Sequence, residues 1–77
     1  MISSTIDLHQ LTVVEAKDEL DRTMDRLPKG TLELVVIHGF RHGQRLKSFV
    51  NRYQHPRIIR KIKTLNPGQT IFVLNVD

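Results

Sequence analysis

The spacing of hydrophobic and polar positions changes several times along the chain, and each change marks a new element. Ile2 to Leu8 reads as a short strand, with Ile6 and Leu8 facing one way and Asp7 and His9 the other. Thr12-Val13-Val14-Glu15 has the form of a capping box, which predicts a helix starting at Val13. Val13, Ala16, Leu20, Met24 and Leu27 then recur at helical spacing and leave an acidic outer face. Pro28-Lys29-Gly30 stops that helix. Leu32 to Ile37 is nearly all apolar, the pattern of a strand buried on both faces in a parallel arrangement.

A second helix follows, beginning near Gln44, with Leu46, Phe49, Val50 and Tyr53 on one side. His55-Pro56 ends it, because the residue before a proline resists the helical region. Arg57 to Leu65 is a less regular strand, since its apolar and basic residues do not alternate cleanly. Asn66-Pro67-Gly68 predicts a turn, and Thr70 to Val76 a final strand. The order is β-α-β-α-β-β, a two-layer α/β fold with a mixed four-stranded sheet. A right-handed crossover makes the first two strands parallel neighbours, and the last two form an antiparallel hairpin.

Seventy-seven residues make one domain, residues 1–77, near the lower limit for a self-sufficient core. Dimerisation would enlarge that core, but no residue announces it. There is no cysteine, and so no disulfide or thiolate–zinc site. No apolar stretch approaches the roughly 20 residues of a membrane span, and no signal pattern follows Met1. The expectation is a soluble cytoplasmic protein.

Charge is unevenly distributed behind the net +4. Asp7, Glu15, Asp18, Glu19, Asp21, Asp25 and Glu33 fall in the first 33 positions, and from Leu34 to Val76 there is no acidic side chain. That stretch carries Arg41, Arg45, Lys47, Arg52, Arg57, Arg60, Lys61 and Lys63. A one-sided basic half suits a polyanion ligand, because each neutralised phosphate releases a condensed counterion.

Candidate chemistry gathers where two strands end. His9 and His38 stand at the carboxyl ends of the first two strands, the edge where open α/β sheets bind ligands. Asp7 precedes His9 by two residues, about 7 Å along a strand. Gly39 and Gly43 allow a sharp turn and close backbone approach. The N-terminus of the second helix, near Gln44, opens on the same crevice and favours a phosphate there. Arg41 and Arg45 add charged donors, with His42 and Lys47 beside them. One imidazole could accept a proton from a 2′-hydroxyl or water while the other protonates the leaving oxygen. Asp7 would orient an imidazole or hold a divalent metal such as Mg2+ or Mn2+. Each residue also has a structural reading: a local hydrogen bond for Asp7, satisfied core-edge histidines for His9 and His38, a solvated loop side chain for His42.

Three stretches resemble a known family. "IDLHQLTVVEA" is similar to the Leu-Asp-Leu-His-Gly opening of Smr domains, the small MutS-related module. "VVIHGFRHGQRLK" resembles that family's second motif, a strand ending in His-Gly before a glycine-bearing loop and a helix start. "NPGQTIFVL" resembles its closing turn and strand, so the likeness runs from about Ile6 to Leu74. The resemblance implies a fold similar to the C-terminal domain of bacterial translation initiation factor three. It also implies nucleic-acid binding and, in several members, endonuclease action as DNA nicking or RNA cleavage. By matching motif, Asp7 and His9 take the acidic and histidine positions of the first motif, and His38 and Gly39 the His-Gly of the second. Two positions depart: Gln10 stands where the family has glycine, and Arg41 where a second glycine is expected, with Gly43 two places later.

The leading expectation is a nucleic-acid-binding Smr-like domain with endonuclease activity, on RNA more than DNA, recognising structure and not base sequence. A non-catalytic RNA- or DNA-binding module using the same crevice is the second. A protein-interaction adaptor working through the acidic first helix is the third.

Overall fold

The computed structural model describes residues 2–40 and 44–76. The elements are β1 (Ile2–Asp7), α1 (Val13–Arg26), β2 (Thr31–Ile37), α2 (Arg45–Arg52), β3 (Ile58–Lys63) and β4 (Gln69–Leu74), in the expected β-α-β-α-β-β order. They form one mixed four-stranded sheet in the order β1-β2-β4-β3. β1 lies parallel to β2, and β4 runs antiparallel to both β2 and β3. The terminal hairpin therefore inserts its second strand into the middle of the sheet.

Both helices contribute to a single cluster with Leu34, Val36, Phe72 and Leu74, so they share one face of the sheet. Among the described residues no helix covers the other face. That placement corrects the expectation that β2 is buried on both sides. Leu34 and Val36 are fully buried, whereas Val35 and Ile37, pointing the other way, are only half-buried. β2 is apolar on both faces because it is central, with β1 and β4 narrowing access to its outer side.

α1 is specified locally at its start and tertiarily at its end. Thr12 Oγ1 accepts from the Glu15 amide at 3.1 Å, and Glu15 Oε1 accepts from the Thr12 amide at 2.9 Å. Ala16, Leu20 and Met24 form the buried stripe, each large side chain contributing about 1.5–3 kcal/mol by leaving water. At the other end Arg57 donates to the carbonyls of Met24 (3.1 Å), Leu27 (2.7 Å) and Pro28 (2.9 Å). The guanidinium thus satisfies the Met24 and Leu27 carbonyls at the helix end and reaches past it to Pro28, which also accepts from the Thr31 amide.

α2 is joined to α1 through Tyr53, whose hydroxyl donates to Asp21 Oδ1 at 2.6 Å. Burial and the adjoining Asp21 carboxylate hold the Tyr53 phenol well above its ordinary range. Its ring stacks on Phe72 (centroids 6.1 Å apart) and meets Phe49 edge-on at 5.7 Å. Lys61 donates to the carbonyls of Asn51 and Tyr53, closing the C-terminal end of α2 as Arg57 closes that of α1. Burial pushes the Lys61 ammonium below its usual pKa.

β3 carries a register shift between Ile58 and Arg60. Ile58 pairs with Leu74 and Lys61 with Phe72, so three positions separate two residues opposite the core face of β4. This bulge is why apolar and basic residues fail to alternate there. Among the described residues, no helix is long and apolar enough to cross a membrane.

Replacing Arg57 by Ala should lower stability by about 1–3 kcal/mol, the usual range when carbonyls lose a charged donor. The urea midpoint should fall with the slope unchanged. Arg60→Ala, on an exposed side chain, should stay within about 0.5 kcal/mol of the parent. Equal effects from the two would contradict the capping role.

Candidate active site

A cavity of about 900 Å³ opens where β1 and β2 end, bordered by the starts of α1 and α2. Asp7, His9, Val14, His38, Phe40 and Arg45 are among the residues lining it. Asp7 pairs with Ile37 in the parallel ladder, so the two strand ends stop side by side. The expected convergence at this edge is present.

The Asp7–His9 contact is closer than an extended strand allows. β1 stops at Asp7, and the chain reverses through His9 and Gln10, with the Leu11 amide donating to the Leu8 carbonyl at 2.9 Å. His9 is thereby folded back over Asp7. Asp7 Oδ1 accepts from the His9 amide at 3.1 Å and lies 2.5 Å from His9 Nδ1. A carboxylate only accepts, so Nδ1 carries a proton, and in the neutral ring Nε2 presents a lone pair. The imidazole bond, followed by the amide bond, holds the Asp7 carboxyl below its ordinary 3.8. Both side chains are about half exposed, at 52% and 49%. No non-glycine residue among those described has positive φ. The turn through Gln10 therefore needs no glycine.

His38 lies deeper, 3% exposed, with both ring nitrogens engaged. Nδ1 is 2.8 Å from the Gly39 carbonyl and Nε2 is 3.0 Å from Thr70 Oγ1. Since a carbonyl only accepts, Nδ1 donates, and in the neutral ring the Thr70 hydroxyl donates to Nε2. The amides of His38 and Gly39 both donate to the Gly68 carbonyl, at 2.8 and 2.9 Å. Gly39 has φ +74, a left-handed conformation natural to glycine, and a Cβ there would meet His9 Cβ at 3.4 Å. The closing turn of the β3–β4 hairpin thus clamps the His-Gly segment beneath the Asp7–His9 pair.

The two helix starts differ. α1 has its reciprocal cap and an acidic first turn. α2 begins at Gln44 with no side-chain cap and no acidic residue in its first turn, which holds Arg45 and Lys47. Cations at the positive end of a helix are unfavourable by about 0.3–1 kcal/mol each. An anion bound there reverses that sign. Arg45 lines the cavity, and Lys47 is half-buried on the same turn.

Asp7, His9, His38, Gly39 and Arg45 therefore meet around one cavity. Arg41, His42 and Gly43 lie outside the described residues. His55 is remote from the cavity, accepting from the Arg57 amide at 3.2 Å and standing 3.4 Å from Asp25. Thr70 and Phe40 were not anticipated. Thr70 was signalled by phase, as a polar residue in step with buried Phe72 and Leu74, which calls for a buried partner. Among the described residues no group of three or more His, Asp or Glu is placed to hold a metal ion. Asp7 Oδ2 makes no hydrogen bond there, and one carboxylate is what Mg2+ commonly takes when substrate phosphate and water complete its shell.

The Smr domain family model matches residues 6–69 of the chain. No curated protein and no solved structure matches it.

In a His9→Ala variant the Asp7 carboxyl should titrate closer to its ordinary 3.8, as followed by carboxyl-carbon NMR. Because the folded pKa is depressed, the pair's stabilisation is present above the ordinary value and lost as pH falls through the folded one. The variant should lack that acid limb. Thr70→Val, which removes the donor to His38, should cost about 1–3 kcal/mol, while Thr70→Ser should restore most of it. Equal stability for Val and Ser would refute the buried bond.

Proposed function

The chain belongs to the Smr domain family, whose members are nucleic-acid-binding, nuclease-like domains, and on that premise we propose that it cleaves phosphodiester bonds in structured RNA in preference to DNA. The observation that carries this reading is the Asp7–His9 pair, on a cavity shared with the uncapped cationic start of α2. Asp7 fixes the tautomer of His9 and stabilises the imidazolium that forms. His9 Nε2 accepts the proton of an attacking 2′-hydroxyl or water. The amides at the start of α2 and Arg45 receive the phosphate and the charge that develops on it, with Lys47, Arg41 and His42 extending the basic surface. Gly39 keeps a side chain away from the approaching backbone. A divalent ion at Asp7 would polarise the phosphate.

We assign His38 first to positioning, since its ring already bridges Gly39 and Thr70. The leaving oxygen takes its proton from water or a second imidazole, and His38 serves as that acid only by giving up Thr70. The same engagement of His38 supports the second reading, a binding module that does not cut. Either way the partner is nucleic acid, met in the cytoplasm and recognised by shape.

Labelled structured RNA should be cleaved by the purified protein. His9→Ala should slow cleavage by about a hundredfold or more while binding persists. Asp7→Asn should slow it less, and His38→Ala should act mainly through stability. Resistance to chelator, with no cutting of a 2′-deoxy linkage, would mark imidazole chemistry. Binding should weaken with salt, and Arg45→Ala should reduce the log–log slope by about one. Salt-sensitive binding without cleavage in any lane would leave only the binding module.

A further inference from the structure

Most of the aromatic side chains are built into the core. Tyr53 and Phe72 are buried and stacked, and Phe49 packs against them. Phe40 is different. Its residue is 47% exposed, it has no ring contact among the described residues, and it lines the cavity that holds Asp7 and His9. Leaving a phenyl ring in water gives up hydrophobic stabilisation that a 77-residue domain can ill spare. It directly follows Gly39, whose left-handed turn is clamped by Gly68. Val14, 73% exposed in the first turn of α1, gives the same cavity a second apolar wall. One cavity therefore combines an exposed flat ring, an aliphatic wall, an Asp–His pair and a cationic helix start.

That combination matches one nucleotide, with its apolar planar base and its anionic phosphate. We propose that Phe40 is a stacking platform for an unpaired base, so that the cavity takes a looped-out or single-stranded nucleotide and not a continuous duplex. The proposal rests on the nucleic-acid reading of the site and adds to it the class of substrate. In a duplex both faces of each base are covered by neighbours, so a protein ring reaches one only in a loop, a bulge, an end or a single strand. Stacking is indifferent to base identity because every base has a π-face. The phosphate would lie toward Arg45, and the base toward Phe40 and Val14.

The test uses a short 2′-O-methyl single strand, which cannot supply the attacking hydroxyl, carrying 2-aminopurine as a stacking reporter. Wild type should bind it and quench its fluorescence. Phe40→Ala should bind roughly ten- to a hundredfold more weakly, the range for loss of one base–aromatic stack, with the quench lost at saturation. Phe40→Trp should restore both, and Phe40→Leu, which keeps apolar bulk without the ring, should not. Thermal melts should place Phe40→Ala beside wild type, separating stacking from folding. Arg45→Ala should weaken binding yet keep the quench. A fully paired duplex of the same sequence should compete poorly, and a DNA strand of that sequence shows whether the ribose matters. Wild-type affinity and quench in both Phe40→Ala and Phe40→Leu would overturn the stacking platform while leaving phosphate binding intact. Failure of wild type to bind any strand at low salt would overturn the nucleic-acid reading and the platform with it.

Discussion

One carbonyl holds the site together. Gly68 accepts from two successive amides, His38 and Gly39, at the point where β2 runs out. From that double bond follow the left-handed turn at Gly39, the seating of its backbone against His9, and the direction in which Phe40 leaves the sheet. The His38 ring reinforces the arrangement by bridging the Gly39 carbonyl to Thr70, two residues beyond Gly68. A buried imidazole with both nitrogens satisfied is stable and directional, and an unsatisfied one in the same place would be costly. Of the two strand-end histidines, His38 is the one with both nitrogens engaged, whereas the half-exposed His9 has only its Nδ1 bonded to Asp7.

The basic half of the chain divides by position. Arg57 and Lys61 point inward and close the C-terminal ends of α1 and α2, where carbonyls attract cations. Arg52 turns back onto the Ser48 carbonyl of its own helix at 3.3 Å. Among the described residues Arg45, Lys47, Arg60 and Lys63 have no such partner. Net charge therefore overstates the cationic surface. What remains at the cavity is a small number of charges at a helix start, where their mutual repulsion and the helix dipole act in the same direction.

Elements with one dominant period were legible in the sequence. The capping box placed the first residue of α1, and the apolar run placed β2, because those signals are local. β3 was irregular for a physical reason, a bulge that breaks the two-residue period and that no neighbour in sequence announces. The burial of β2 was misread because apolar content reports shelter by flanking strands as well as by a covering layer. At the site, strand ends and motif residues located Asp7, His9, His38 and Gly39. Extended-strand geometry did not foresee the reversal that brings His9 onto Asp7, nor the bond to Thr70, which spans 32 positions. Gln10 shows the limit of reading by motif: the backbone there has negative φ, and a pattern that insists on glycine would reject a chain whose turn does not need one.

The order of strands has a temporal consequence. β4 follows β1, β2 and β3 in sequence, yet it lies between β2 and β3 and is the bridge that makes them one sheet. Gly68 and Thr70, which fasten the His-Gly segment, belong to that same late stretch. On a ribosome His9, Asp7 and the cationic helix start would all be synthesised well before the strand that completes their cavity. The cavity can take its final shape only after residue 74 has emerged. A nascent chain therefore lacks the finished cavity until β4 has been made, by nothing more than the order of its residues.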